Sequence, residues 1–277
     1  MQVSEIIKTI EKIAPLCLAA PWDKSGLQVA ATRSEAGHLA VMLDPSLESI
    51  NKGLALGADF LLAHHPLSMK PRFPDTPGQY HSILSLLFRN DVCLYSAHTS
   101  LDASPLGPAC WLADKLDLKD YAILEPTGQI AASSRQTGTA LGPVESEIAG
   151  FGFIGDLPAP LPYDEFCRKL AEALERDDWR ACGPRPDQVT RVACCPGSGS
   201  DLISVAQNGG ADVYITGDLK YHAALDAEIR VLDVGHFQIE EIMMRNFARQ
   251  LAAALPQLEV SFVAGSDPLA FEAYRRA

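Results

Sequence analysis

Two segments of this chain pair an imidazole with a carboxylate at the same spacing. They are His98-Thr-Ser-Leu-Asp102 and His236-Phe-Gln-Ile-Glu240. A third, Gly57-Ala-Asp-Phe-Leu-Leu-Ala-His64-His65, ends in adjacent histidines and recurs as Gly210-Ala-Asp-Val-Tyr-Ile-Thr-Gly-Asp218. Four residues apart on a helical turn, two side chains share one face. Nitrogen and oxygen donors gathered this way are what a hydrolytic metal site is made from. Each segment also has a plainer reading. His64-His65 before Pro66 can be two solvated loop histidines. Asp102 can cap a turn, and Glu240 beside Glu241 can face solvent. What favours the chemical reading is their joint placement: His64, His65, His98, His222 and His236 all fall in strand-end segments.

Those strand ends follow from an alternating pattern. Short apolar runs at 39–43, 60–63 and 92–96 predict strands. Between and after them, helical spacing covers 46–56, 80–89 and 111–116. The second half repeats the alternation, with strands at 189–194, 213–216, 231–234 and 260–263. Its helices are expected at 163–175, 201–207, 222–228 and 239–255. Strands alternating with helices imply an α/β fold with mainly parallel sheets. In such folds ligands bind beyond the carboxyl ends of the strands, where these histidines lie. The stretch 125–162 is rich in Gly, Ser, Thr and Pro and reads as a connecting β/loop segment. It separates a first α/β half, 1–124 together with the C-terminal end of the chain, from a second half, 163–277.

Two other segments hold candidate polar contacts. Cys195-Pro-Gly-Ser-Gly-Ser-Asp201 opens a helix after a strand. Its backbone N–H groups can hold an anion, or its glycines can simply serve a tight turn. Leu202 stands where a dinucleotide fingerprint needs its third glycine. In Gly217-Asp-Leu-Lys-Tyr-His222, Asp218 can orient a ligand imidazole and Lys220 can meet a substrate anion. A satisfied loop network explains both equally well.

The whole-chain numbers set limits. A chain of 277 residues, 47% hydrophobic and 21% charged, can bury a full core. Its net charge of −12 disfavours an extended nucleic-acid surface or an anionic membrane as partner. Lys8, Glu11 and Lys12 interrupt the N-terminal apolar pattern, so it reads as a helix rather than a secretory signal. No apolar run has the length of a membrane span. The seven cysteines include no CxxC pair and read as reduced thiols. The expected location is cytoplasmic.

Several stretches together resemble the Nif-three-like family of dinuclear-metal proteins, also labelled GTP cyclohydrolase 1 type 2 homologues. They are Trp22-Asp23 with Gly26-Leu-Gln-Val29, Ala63-His-His-Pro-Leu67, His98-Thr-Ser-Leu-Asp-Ala103, Gly217-Asp-Leu-Lys-Tyr-His222 with Ala224-Leu-Asp-Ala227, and Gly235-His236 followed by Glu240. The resemblance implies two similar α/β halves facing each other across a metal site. It implies that two divalent ions are held by His64, His65, Asp102, His236 and Glu240. It also implies a toroidal homohexamer. Where relatives often have Trp-Asp-Asn-Val-Gly-Leu, this chain has Lys24 and Ser25, which bears on substrate selection rather than on the metal site.

Imidazole with carboxylate suits zinc, manganese, iron or nickel, and affinity order does not choose among them. Hydrated divalent ions bring the ionisation of water near neutral pH and polarise a carbonyl, amidine or phosphoryl group. His98 and His222 are the expected proton carriers. The expected function is a metal-dependent hydrolase acting on a small polar or nucleotide-like substrate, with opening of the guanine ring of GTP as one candidate. The alternative is a non-catalytic protein that binds or delivers metal, or a scaffold.

Overall fold

The computed structural model describes residues 1–131 and 146–269. In chain order its elements are α1 (Val3–Ile13), β1 (Gly26–Val29), β2 (His38–Met42), α2 (Leu47–Ala55), β3 (Phe60–Ala63), α3 (Gln79–Asn90), β4 (Cys93–Ser96), α4 (Thr99–Asp102) and α5 (Trp111–Lys115). There follow β5 (Lys119–Ala131), β6 (Ser146–Pro162), α6 (Tyr163–Leu174), β7 (Arg180–Cys182), β8 (Gln188–Ser198), α7 (Ile203–Asn208), β9 (Val213–Gly217), α8 (Tyr221–Leu225), β10 (Arg230–Asp233), α9 (His236–Ala254) and β11 (Glu259–Phe262).

The described strands form two sheets, ordered β1-β4-β3-β2-β11 and β5-β6-β8-β9-β10-β7. Strands β4, β3, β2 and β11 run parallel, as do β8, β9 and β10. Antiparallel strands flank them: β1 in the first sheet, and β5, β6 and β7 in the second. Residues 125–131 and 146–162 therefore contribute paired strands to the second sheet. Strand β11 returns the chain to the first sheet beside β2.

Alternation along each central strand explains how the layers stack. In β2, Leu39 and Val41 enter one core while Ala40 and Met42 enter another. The second of these cores is closed by Ile50 of α2 and by Ile83 and Leu87 of α3. In β9, Val213 and Ile215 point into the first core, and Tyr214 points away toward Ile203 and Ala206. The shared central core thus takes one face from each sheet, and successive strand residues serve opposite layers. Between them lies α9, burying Ile239, Met243, Met244, Phe247 and Leu251. Helix α1 adds Ile6, Ile10 and Ile13, one stripe of its surface. Each such fully buried aliphatic or aromatic side chain contributes roughly 1.5–3 kcal/mol.

A helix buried between two sheets brings one further group inside. Glu240 projects from α9 one turn past its first residue and is only 4% exposed. A carboxylate in such a place needs a compensating charge.

Candidate metal centre

Three strand ends converge on Glu240. Past the end of β3, the N–H of His64 donates to Met42 O and Leu43 O, which carries His64 and His65 out of the first sheet together. Past β4, His98 precedes the single turn of α4 that ends at Asp102. Past β10, Gly235 at φ 84 turns the chain so that His236 opens α9. Glu240 follows one turn later on the same face.

Two close approaches of backbone make room for this. Gly197 has φ +66, and a Cβ there would lie 2.3 Å from Glu240 Oε1. A Cβ on Gly217 would lie 2.6 Å from the backbone nitrogen of His236. In the Gly-Ser loop at 196–200, the N–H of Gly199 donates to Thr216 Oγ1 and its carbonyl accepts from the Tyr214 hydroxyl. Gly197 therefore lets the second sheet pack tightly against α9, and Gly199 lets the loop pack onto the second sheet itself. Lys220, the other expected anion contact, is held by the Asp201 carboxylate.

The rings form a continuous cluster. Centroid separations are 5.0 Å for His64–His65, 5.1 Å for His64–His98, 5.5 Å for His65–His98 and 5.4 Å for His65–His236. Glu240 Oε2 is 2.9 Å from His236 Nε2 and 3.2 Å from His65 Nε2. The Nε2 of His64 lies 3.5 Å from Asp102 Oδ1 and 3.8 Å from Glu240 Oε1. Two overlapping triads have ligand atoms close enough to share an ion: His64, His65 and His98, and His65, His236 and Glu240.

The outward nitrogen of every imidazole is engaged. His64 Nδ1 meets Ala97 O at 2.8 Å, a carbonyl that can only accept, so Nδ1 is the protonated atom. His65 Nδ1 meets Asp44 Oδ1 at 2.8 Å, His98 Nδ1 meets Asp23 Oδ1 at 2.7 Å, and His236 Nδ1 meets Asp218 Oδ2 at 2.6 Å. With Nδ1–H donating outward, each neutral ring turns its Nε2 lone pair inward. This is how partners behind a ligand fix imidazole tautomer and orientation at metal sites. The fit also shows in what lacks a partner. His64 Nε2, Asp102 Oδ1 and Glu240 Oε2 are buried without a well-aligned hydrogen bond. Buried polar atoms are seldom left so, and lone pairs facing one another call for a cation among them.

Protonation follows the same logic. Burial pushes His64 down to about 3, against the pull of Glu240. Burial also disfavours charge on His65, but Asp44 and Glu240 outweigh it and raise the ring to about 10. His236 rises to about 9 because contacts with Glu240 and Asp218 overcome its burial. Burial and the nearby Glu240 carboxylate push Asp102 well up. Burial acts upward on Glu240 too, yet His236, His64 and His65 hold it far below the usual carboxylate range. In the absence of a metal ion, protons on His65 and His236 provide the positive charge that Glu240 requires.

Of the residues expected from sequence, His64, His65, Asp102, His236, Glu240 and His98 come together here. His222 lies exposed on α8 against Tyr221 and belongs to neither triad. Asp23 and Asp44 are the residues that sequence reading did not place at the site. Asp23 has a fully buried side chain that accepts from Lys24 N, Ser25 Oγ, Thr99 N and Thr99 Oγ1 as well as from His98. These donors hold it well below the usual carboxylate range in spite of its burial. Its available signal was the Trp22-Asp23 dipeptide itself. Asp44 follows the end of β2, on the same edge as the other strand ends, and that position was its signal. Ser25, a departure from the familiar loop, accepts the His98 N–H at 3.1 Å.

Residues 1–268 match the model of Duf34/NIF3 (NGG1p interacting factor 3). The chain belongs to this family. A Clostridium perfringens member named GTP cyclohydrolase 1 type 2 homolog is 29% identical, covering 98% of this chain and 100% of its own. One of the same name from Methanocaldococcus jannaschii is 30% identical, over 92% of this chain and 96% of its own. Among solved structures, a Bacillus cereus protein related to NIF3 superposes with TM-score 0.84 at 26% identity, covering 98% and 99% of the two chains. Reduced HcgD from Methanocaldococcus jannaschii superposes with TM-score 0.78 at 29% identity, covering 95% and 98%. The two-sheet architecture around the histidine cluster is thus the NIF3 fold. Among the described residues, no helix is long and apolar enough to cross a membrane.

Proposed function

We propose that this NIF3 protein is a metal-dependent hydrolase that holds two divalent ions with His64, His65, Asp102, His236 and Glu240. The observation that carries this reading is the set of four imidazoles with Nδ1 engaged outward, three of which, His64, His65 and His236, turn Nε2 toward Glu240. Glu240 meets His64 through Oε1 and His65 and His236 through Oε2, and Asp102 Oδ1 lies beside His64 Nε2, which supports an ion on each side of Glu240. Ions bound there would supply Lewis acidity and bring the ionisation of water close to neutral pH. His98, fixed on Asp23, keeps its Nε2 for moving a proton at the edge of the centre. Its neighbour Trp22 is 60% exposed, with ring centroids 5.9 Å apart.

The names of the relatives make GTP ring opening one candidate reaction. Elemental analysis of protein purified without chelator tests the metal reading. About two ions per chain are expected, and loss of them in His64→Ala and Glu240→Ala. Absence of metal from the wild type, even after reconstitution, would refute it. Turnover of GTP by the loaded protein then tests the candidate reaction separately.

A second reading has one supporting observation. The side chains of His65 and His236 are 23% and 31% exposed, so one edge of the centre is open. A delivery protein would use that edge to release metal to a competing chelator. An enzyme would keep its metal under the same challenge. We further propose a homohexameric toroid in the cytoplasm, as the family resemblance implies. Among the described residues β5 is the outer strand of its sheet and Ile148 of β6 is half-exposed, which supports an interface between copies. Light scattering after size exclusion tests the assembly.

A further inference from the structure

The open edge of the histidine cluster faces a cavity of about 400 Å³, large enough to take most of a small organic ligand. His65 and His236 form its floor. Leu43, Phe237 and Pro268 give it an apolar wall, and Arg176 and Arg180 stand in its lining. We propose that this cavity binds a flat-ringed organic phosphate of mononucleotide size, with Arg180 as the phosphate anchor and the ring against Leu43 and Phe237. The proposal rests on the metal-dependent reading and names its substrate class.

The argument begins with register. Arg180 is the first residue of β7 and Asp233 the last of β10, and the two are direct cross-strand partners. The Asp233 carboxylate is almost fully buried. It accepts Arg180 Nη2 and also the N–H groups of Leu219 and Gly235. It is therefore fixed by backbone donors before it holds the arginine. Arg180 itself is 63% exposed. A guanidinium has five N–H donors in a rigid fork, so holding one edge on Asp233 orients the rest for a second oxyanion.

The hydrogen-bond pattern of the cavity, rather than its net charge, favours an anion at the exposed Arg180. Each lining carboxylate is already engaged: Asp44 by His65, Asp218 by His236, Asp233 by Arg180, and Asp267 by Arg176 and the N–H of Leu269. The place is the crevice beyond the carboxyl end of β10, where α/β folds bind ligands. A molecule anchored on Arg180 with its ring on the apolar wall would meet the open edge formed by His65 and His236.

The test is calorimetric titration of the metal-loaded chain of 277 residues with GMP, guanosine and inorganic phosphate, beside Arg180→Gln and Arg180→Lys. GMP is expected to bind more tightly than either fragment. Arg180→Gln should weaken GMP at least about tenfold, the effect of a lost charged hydrogen bond. Guanosine binding should stay the same in that variant, and Arg180→Lys should recover part of the loss. Equal GMP affinity in wild type and Arg180→Gln would overturn the proposal, as would no GMP binding at millimolar concentration. Metal content measured on the same samples separates the two readings. Arg180 is outside the proposed ligand set, so Arg180→Gln should carry as much metal as wild type. A wild type without metal refutes the metal reading, while the GMP titration still decides on the cavity.

Discussion

The Nε2 of His65 and the Oε2 of Glu240 lie 3.2 Å apart, although one side chain leaves the first sheet and the other comes from a helix buried between the two sheets. The contact joins the halves of the molecule through a charge. It also makes Glu240 the member of the cluster whose loss should be felt most widely, since His64, His65 and His236 all lie within 3.8 Å of its carboxylate.

Glu240→Gln should therefore lower metal affinity by more than the 10–100-fold that changes behind a ligand typically cause. Elemental analysis after dialysis, with circular dichroism to show that the fold persists, checks this. Metal retained at the wild-type level would remove Glu240 from the ligand set.

The outward partners should act more mildly. Asp44→Asn and Asp218→Asn each weaken the hold on one imidazole Nδ1, and each should cost about 10–100-fold in metal affinity. Asp23→Ala is different, because it strips an acceptor from five donors at once. A hydrogen bond to a charged group contributes about 1.5–3 kcal/mol, so this variant should lose at least about 3 kcal/mol of stability. Urea denaturation of metal-free protein measures it, and a loss below 1 kcal/mol would contradict the network, at about the size of one neutral hydrogen bond.

Metal uptake should release protons. Raised to about 10 and about 9, His65 and His236 are still protonated at pH 7 in metal-free protein. Both must lose the Nε2 proton to become ligands, so apparent affinity should rise with pH from 7 toward 9. The same raised values stabilise the metal-free fold fully below the unfolded histidine pKa near 6.5. That stability is lost as pH climbs through about 9 and 10. Calorimetry in buffers of different ionisation enthalpy counts the protons released. Uptake without proton release would show that these rings are not ligands.

Gly197→Ala tests the close approach of the second sheet. The new Cβ would fall 2.3 Å from Glu240 Oε1 at a residue with φ +66. The left-handed backbone alone costs about 1–2 kcal/mol, and the displaced carboxylate should also reduce metal content. Thermal denaturation and elemental analysis together separate strain from loss of the site. His222→Ala, on exposed α8, should leave both quantities unchanged.

Much of the architecture was legible because its signals are local. The run 60–63 is β3 to the residue, and Ser46 caps α2 with its own hydroxyl accepting from the Ser49 N–H. Helix α8 is shorter than its spacing suggested. It has no buried residue to extend along, and its N-cap side chain makes no capping bond. The region around 125–162 was harder to read. Its composition suggested a mixture of strand and loop, and residues 125–131 and 146–162 are strand, carried by pairing of β5 with β6 and of β6 with β8, with register shifts between Pro126 and Gly128 and between Asp156 and Leu161.

By itself the sequence determined that imidazoles and carboxylates stand at strand ends in both halves, because periodicity and four-residue spacing are properties of neighbours along the chain. Only the tertiary structure decided which ring nitrogen faces inward. That choice belongs to Ala97 O, Asp44, Asp23 and Asp218. All four come from segments at least 18 residues from the rings they hold and act through hydrogen bonds that exist only once the strand ends are packed together. The tertiary structure likewise placed Glu240 between the sheets, where burial makes its charge dependent on its neighbours.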